Sequence, residues 1–124
     1  VVRSTWWLCM DTEAIRQLID DATFEFTMGE HTTALKKLGE ALAMEPDNFD
    51  ALLAKAEVHF DLRELDAAQD AGNRALQVNS EDVHLHTSLS RIWMEKGDKA
   101  QAEHHGAKAR MLGWKNELQS KSDS

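Results

Sequence analysis

Apolar and small residues recur along this chain at the spacing of an α-helix, and the pattern is clearest just before its single proline. Ala34, Leu38 and Ala41 fall at the i, i+4, i+7 spacing that places three side chains on one helical stripe. Two of the three are alanines, which allow a neighbouring helix to come close. Pro46 cannot continue a helix, so the pattern predicts a helix with a defined end.

The same pattern returns twice at a fixed period of 34 residues. A step of this length from Ala34 reaches Ala68 and then Ala102. Aligned at this period, three rows agree in apolar or small character at six positions, which indicates a repeat architecture. The aligned positions are Ile15, Phe49 and Val83; Ala22, Ala56 and Ser90; Phe24, Val58 and Ile92; Ala34, Ala68 and Ala102; Ala41, Ala75 and Ala109; and Met44, Val78 and Leu112.

Each row divides into two predicted helices that are joined by a short turn. Gly29 and Gly97 occupy the same place in rows one and three, as helix-ending residues that tolerate a left-handed backbone. Arg63 replaces them in the middle row, which predicts a tighter or strained turn there. The predicted caps of the first helices are Asp11 or Thr12, Asn48 and Asp82, and the predicted second helices are 32–44, 65–78 and 99–112.

These columns resemble the tetratricopeptide repeat, a 34-residue helix–turn–helix unit with small residues at three fixed positions and a proline near its end. The resemblance implies an all-α fold, a right-handed α-solenoid of three stacked repeats. The third row departs most, with His86 in place of a large apolar residue and Trp114 in the proline column. The predicted bounds are 1–10 for a leader or N-terminal extension, 11–114 for the repeat domain (repeats 15–48, 49–82 and 83–116) and 115–124 for a fraying polar tail.

Composition narrows the possible partners and the compartment. A formal net charge of −8 argues against a nucleic-acid backbone or an anionic membrane as partner. The single cysteine, Cys9, cannot form an intramolecular disulfide and fits a reducing compartment. No apolar run has the length that a membrane-spanning helix needs. These features predict a cytoplasmic protein.

No residue pattern indicates catalysis, a metal or a cofactor. His84 and His86 are two residues apart and so point to different faces of a helix, and no other histidine stands at a recognised ligand spacing. A nucleophile elbow and a phosphate-binding glycine loop are both missing from the sequence. Carboxylates such as Asp20 and Asp50 are explained by predicted positions near helix starts, where they complement the helix dipole. We therefore expect no catalytic residues, no metal site, no cofactor and no enzymatic activity.

The resemblance implies a binding groove, because the first helices of successive repeats line a concave face in this family. One groove-facing column holds Phe26, Phe60 and Met94, so it is apolar in every row. Two interpretations stay open: these side chains pack between neighbouring repeats, or they floor a groove that receives an extended or helical peptide. The implied groove residues are Arg16, Ile19, Thr23, Phe26, Asp50, Leu53, Glu57, Phe60, His84, Thr87, Arg91 and Met94.

The chaperone-binding members of this family hold two carboxylates in a clamp of lysine, asparagine and arginine side chains. The matching positions here are Ile19, Thr23, Ala54, His84 and Ser88, so the clamp is absent. This difference disfavours an acidic C-terminal peptide as ligand. It predicts instead an interaction module, in a scaffold or adaptor role, for a peptide or partner helix with apolar side chains.

Self-assembly is the alternative function. A stacked array exposes apolar surface at its ends unless a capping helix covers it. Exposed patches of this kind commonly mark interfaces. The candidate contacts for a homo-oligomer are Trp6 and Trp7 at one end and Trp114 and Leu118 at the other.

Overall fold

The computed structural model describes residues 5–122, with side chains from residue 12 onward. Within this part of the chain there are six helices and no strand. The helices pair in chain order, and each pair packs against the next, as the repeat pattern predicts. The fold is therefore an all-α solenoid of three helix–turn–helix repeats. The helices are α1 (Thr5–Thr27), α2 (His31–Met44), α3 (Phe49–Asp61), α4 (Leu65–Val78), α5 (Val83–Lys96) and α6 (Lys99–Ser122).

The first helices of the repeats form one continuous layer. α1 contacts α3, and α3 contacts α5, whereas the second helices α2, α4 and α6 make no such contacts with one another in residues 5–122. Neighbouring repeats are joined through α2 with α3 and through α4 with α5. The exposed side of the α1, α3 and α5 layer is called the concave face below.

Side-chain caps begin the first helices of the second and third repeats, as predicted. Asn48 Oδ1 accepts a hydrogen bond from the Ala51 backbone N–H at 2.9 Å, and Asp82 Oδ1 accepts one from Leu85 at 2.9 Å. The prediction of a cap at Asp11 or Thr12 was wrong, because α1 begins upstream at Thr5. No proline or glycine interrupts the chain before this point, so nothing in the sequence stops the helix there.

The last helix continues past the end that the repeat pattern predicts. α6 runs to Ser122 rather than ending at Leu112. Trp114 occupies the place where Pro46 ends the first repeat, and more than half of residues 115–122 are good helix formers (lysine, glutamate, leucine and glutamine). The predicted polar tail is therefore helical in its described part.

The three turns inside the repeats share one backbone conformation. Gly29 and Gly97 have φ angles of 85° and 87°, and Arg63 has a φ of 64°. For an L-residue this left-handed region costs roughly 1–2 kcal/mol. The sequence predicted that the middle turn would be either tighter or strained. The positive φ of Arg63 confirms the strain. The turn is not tighter, because its backbone hydrogen bonds are equivalent to those of the two glycine turns.

The alanine columns are the core of the solenoid. Ala34, Ala68 and Ala102 are buried, as are their partners seven residues later. Val58 and Ile92 pack against the preceding repeat and are also buried. Phe24, in the same column, is 66% exposed, because no described repeat precedes it.

The two junctions between repeats each bury a leucine, but from opposite sides. At the junction of repeats 1 and 2, Leu38 of α2 is buried and faces α3. The equivalent residue at the next junction is Gly72, and the buried side chain there is Leu89 of α5. A Cβ atom added to Gly72 would lie 2.7 Å from Leu89 Cδ2, so this leucine occupies the space that the glycine leaves. The residue equivalent to Leu89 at the first junction is the half-buried Lys55.

The third repeat contains a buried histidine pair. His86 and His105 replace Leu52 and Ala71 of the middle repeat, and their Nδ1 atoms lie 3.0 Å apart. His86 Nε2 lies 2.8 Å from the Ser80 carbonyl oxygen, which accepts its proton. With that proton on Nε2, neutral His86 accepts at Nδ1 and His105 donates. Burial lowers the pKa of His105, and the neighbouring histidines lower it further.

Candidate peptide-binding groove

The concave face contains two adjoining clefts between its three helices. The α1–α3 cleft has a volume of about 350 Å³, and Ile19 and Leu53 form part of its apolar floor. The α3–α5 cleft has a volume of about 180 Å³, and Phe26 and Phe60 line it. Phe26 borders both clefts, so the apolar surface is continuous across the face.

Phe26 and Phe60 each pack between repeats and also line a cleft. Phe26 packs against the core between repeats 1 and 2, and Phe60 against the core between repeats 2 and 3. Both side chains are only half-buried, and the remainder of each ring faces a cleft. The Arg91 guanidinium lies 5.0 Å from the Phe60 ring centroid, within range of a cation–π interaction. The structure therefore shows inter-repeat packing for both rings and leaves part of each ring accessible.

Glu57 stands between the clefts and contributes to both walls. Its carboxylate is partly withdrawn from water, and this burial raises its pKa, while His84 and Arg91 oppose that shift. His84 Nε2 lies 3.8 Å from Glu57 Oε1, too far for a hydrogen bond. A carboxylate in this position would gain from a cation brought by a ligand.

Acidic side chains predominate along the clefts. Asp20 and Asp50 line the α1–α3 cleft, and Asp61 lines the α3–α5 cleft. Arg91 is the one arginine or lysine that lines either of these clefts among residues 12–122. The concave face therefore combines an apolar floor with a negative rim.

Most of the predicted groove residues meet in these clefts, and three do not. Arg16 lies beside the α1–α3 cleft, where Nη1 is 3.9 Å from Glu13 Oε1. Thr87 is exposed and donates its hydroxyl to the Val83 carbonyl oxygen. Met94 is 54% exposed, because no described repeat follows to cover it. The residues that the clefts do bring together are Ile19, Thr23, Phe26, Asp50, Leu53, Glu57, Phe60, His84 and Arg91.

Two further acidic residues line the clefts, and one of them, Asp20, was missed as a site residue. Asp20 was attributed to a helix start, but it lies well inside α1, so it cannot serve as a cap. Asp61 ends α3, and its Oδ2 lies 2.5 Å from His31 Nε2, a contact that raises the pKa of His31. For Asp20, its place next to the predicted groove residue Ile19 was the only sequence signal, whereas Asp61 itself falls at a groove-facing position of the repeat pattern.

The candidate oligomer contacts at the C-terminal end are exposed. Trp114 and Leu118 are 66% and 53% exposed on α6. Met111, one helical turn earlier on the same side, is exposed as well. The side chains of Trp6 and Trp7 lie outside the described residues.

Two further searches of the described residues were negative. No group of three or more histidine, cysteine, aspartate and glutamate side chains converges in a way that could hold a metal ion. Among the described helices, none is both long and apolar enough to cross a membrane.

Comparison with known proteins agrees with this architecture. The family model for the tetratricopeptide repeat matches residues 22–82. Together with the three helix pairs, this match identifies the chain as a member of the tetratricopeptide repeat family. Proteins of this family are generally non-catalytic interaction modules. Among curated proteins, none has a sequence significantly similar to this chain.

Several solved structures share the fold at low sequence identity. A MamA chain (MSR-1) is 19% identical, with a TM-score of 0.74 over 82% of this chain and 59% of its own. The first repeat domain of Spaghetti (RPAP3), bound to an HSP90 peptide, is 16% identical, with a TM-score of 0.79 over 90% and 92%. The Yersinia enterocolitica translocator chaperone SycD is 17% identical, with a TM-score of 0.79 over 90% and 85%. This chain spans less than two thirds of the MamA chain.

Proposed function

We propose that this protein is an interaction module, in a scaffold or adaptor role, and that its concave face binds an apolar peptide or partner helix. The observation that carries this proposal is the continuous row formed by Ile19, Leu53, Phe26 and Phe60, whose side chains line adjoining clefts. Partly exposed apolar surface of this kind is typical of grooves that receive an amphipathic helix or an extended segment.

The rim adds a charge preference to the apolar one. Asp20, Asp50 and Glu57 favour a ligand that places lysine or arginine beside its apolar side chains. The Spaghetti domain was solved with the acidic HSP90 peptide SRMEEVD. Here the carboxylate-clamp residues are missing and carboxylates line the clefts, so a peptide of that type would meet repulsion.

A binding screen with a displayed library of random 16-residue peptides tests the proposal. Burying a phenylalanine side chain is worth roughly 1.5–3 kcal/mol, so Phe60→Ala should weaken selected peptides by about ten- to a hundred-fold. Phe24→Ala is the matched control, because Phe24 is exposed on the same layer but outside both clefts. Both variants should keep the helical far-ultraviolet dichroism of the parent.

Two results would contradict the proposal. One is a screen that yields no peptide whose binding depends on Phe60. The other is a set of peptides that binds folded Phe60→Ala as tightly as the parent protein. Selected peptides rich in aspartate and glutamate would refute the charge preference while leaving the groove in place.

Self-association is a second candidate function, and the exposed side of α6 favours it. Met111, Trp114 and Leu118 are large, apolar and accessible to solvent. Such a patch commonly marks a protein interface. Trp114→Ala should then reduce the mass of any oligomer measured by light scattering.

A further inference from the structure

The exposed apolar residues of α6 form one stripe. Met111, Trp114 and Leu118 follow one another at i, i+3, i+7, which places them on a single helical face. The opposite face of α6 carries Ala109 and Leu112, which are buried. Among the described helices α6 packs only against α5, so no part of the same fold covers the stripe. Met111, Trp114 and Leu118 are called the α6 stripe below.

The segment around the stripe is basic in an otherwise acidic protein. From residue 107 to residue 122 the only acidic residue is Glu117. The chain as a whole carries a formal charge of −8. Opposite charges on two surfaces speed and orient their encounter. The basic residues of the segment are Lys108, Arg110, Lys115 and Lys121.

The concave face has the complementary character. Its floor is apolar, and Asp20, Asp50 and Glu57 line it without a lysine in either cleft. The lengths also match. At 1.5 Å per residue, the segment 107–122 is roughly 24 Å long. Three helices packed at 8–10 Å present a face about 16–20 Å wide, so this segment can cross all of it.

We infer that the concave face of one molecule binds the α6 stripe of a second copy of this chain. The inference rests on the proposed groove function and names its occupant. The contact is intermolecular, because the stripe points away from α5 and so cannot reach the concave face of its own solenoid. Each copy carries both surfaces, so two copies can exchange stripes about a two-fold axis.

This inference differs from association through exposed ends alone. In simple end-to-end association, groove substitutions leave the oligomer intact and only α6 substitutions disrupt it. Here both Phe60→Ala and Trp114→Ala should weaken self-association by at least about tenfold, because each removes a central apolar contact. Trp114 is exposed, so its substitution should leave the monomer folded.

A charge-reversal pair provides the decisive experiment. The first variant, Asp20→Lys/Asp50→Lys, reverses the groove rim, and the second, Arg110→Glu/Lys121→Glu, reverses the flanks of the stripe. Each variant alone sets like charges against each other and should sediment as a monomer. In a mixture, each reversed surface meets its opposite, and an equimolar complex should form. Sedimentation equilibrium of the full chain measures all three samples and the parent.

A matched control reverses charge away from both surfaces. The control variants are Glu40→Lys and Lys99→Glu. Both residues are at exposed positions of second helices, outside the clefts and the α6 stripe. Both variants should leave the parental association unchanged. The inference is overturned if the parent remains monomeric up to about 1 mM. Self-association of either reversed variant at the parental strength, or failure of the mixture to form a complex, overturns it equally.

The failure of this inference can be told apart from failure of the groove. A labelled synthetic peptide of residues 105–122 is titrated beside peptides selected from the random library. One outcome is that selected peptides bind through Phe60 while the parent protein is monomeric and does not bind the 105–122 peptide. This outcome refutes only the occupant proposed here. Loss of every Phe60-dependent interaction refutes the groove as well.

Discussion

The two junctions between repeats fill the same space with a leucine from opposite partners. At the first junction the side chain comes from the second helix of the earlier repeat, as Leu38. At the second it comes from the first helix of the later repeat, as Leu89, which lies over Gly72. Each of the two leucines is buried. A repeat fold thus constrains the volume shared by two positions rather than the residue at either one.

This difference explains an irregular column in the sequence. Leu38, Gly72 and Gly106 occupy one repeat position, and glycine inside a helix is less stabilising than alanine. A Cβ atom on the first of these glycines would lie 2.7 Å from Leu89 Cδ2, so the Leu89 side chain would have to shift to accommodate any larger residue. The effects of substitutions at residues 72 and 89 on the free energy of unfolding should therefore be coupled.

The largest predicted effect comes from removing the leucines. Leu38→Ala and Leu89→Ala should each destabilise the fold by about 2–5 kcal/mol, from lost transfer energy and the cavity left behind. Leu89→Ala should lie at the upper end, because Gly72 has no side chain that could relax into the cavity. At the first junction the aliphatic part of the half-buried Lys55 can partly compensate. Urea unfolding measures both variants, and equal losses would contradict the comparison.

A smaller effect is expected when the second junction is converted to the arrangement of the first. Gly72→Leu alone should overpack the junction at a cost of about 1–3 kcal/mol. Combined with Leu89→Lys, the added leucine should take the vacated space and recover at least about 1 kcal/mol relative to the sum of the single changes. Free energies that simply add in a double-mutant cycle would show that the two positions are independent.

A still smaller effect is a dependence of stability on pH, which we expect from the last repeat and not from the middle one. The pKa of His105 is lowered, chiefly by burial, so folding disfavours its charged form. The stability that depends on neutral His105 is complete above the ordinary histidine pKa near 6.5 and is lost as pH falls through the lowered value. The melting temperature should therefore fall as the pH is lowered below about 6.5. His86→Leu/His105→Ala restores the residues of the middle repeat and should reduce this dependence.

The smallest effect belongs to His31, whose pKa shifts in the opposite direction. The hydrogen bond to Asp61 raises it, so any stabilisation is present below the ordinary pKa and is lost as pH rises through the raised value. The contact lies at the surface, where ion pairs contribute little. Asp61→Asn should return the His31 pKa toward its ordinary value in an NMR titration without a detectable change in melting temperature. An unchanged His31 pKa would contradict the assignment.

Much of the fold could be predicted from the sequence, because each position of the repeat occurs three times and its residues can be compared. The alanine columns predicted the helix pairs, and Asn48 and Asp82 predicted two helix starts that the structure confirms. The ends were harder, because a terminal repeat lacks one neighbour. Phe24 belongs to a buried column and is exposed, and α6 continues past its expected end.

The candidate site could be predicted only in part, since periodicity identifies a face and says little about its electrostatics. The apolar floor followed from the positions of Phe26 and Phe60. The acidic rim followed only in part: Asp50 and Glu57 were among the predicted groove residues, but Asp20 is an ordinary surface residue until the helices pack side by side. The proximity of His86 and His105 likewise depends on how α6 docks against α5.

The left-handed Arg63 has a consequence for how quickly the chain folds. Glycine visits positive φ angles readily in an unfolded chain, whereas arginine does so rarely. The turns at Gly29 and Gly97 can therefore close soon after their helices form, while the middle turn must wait for an uncommon conformation. Since each repeat of a solenoid can nucleate folding, the outer repeats should form first and the central one should close last. Arg63→Gly should remove this delay and raise the refolding rate.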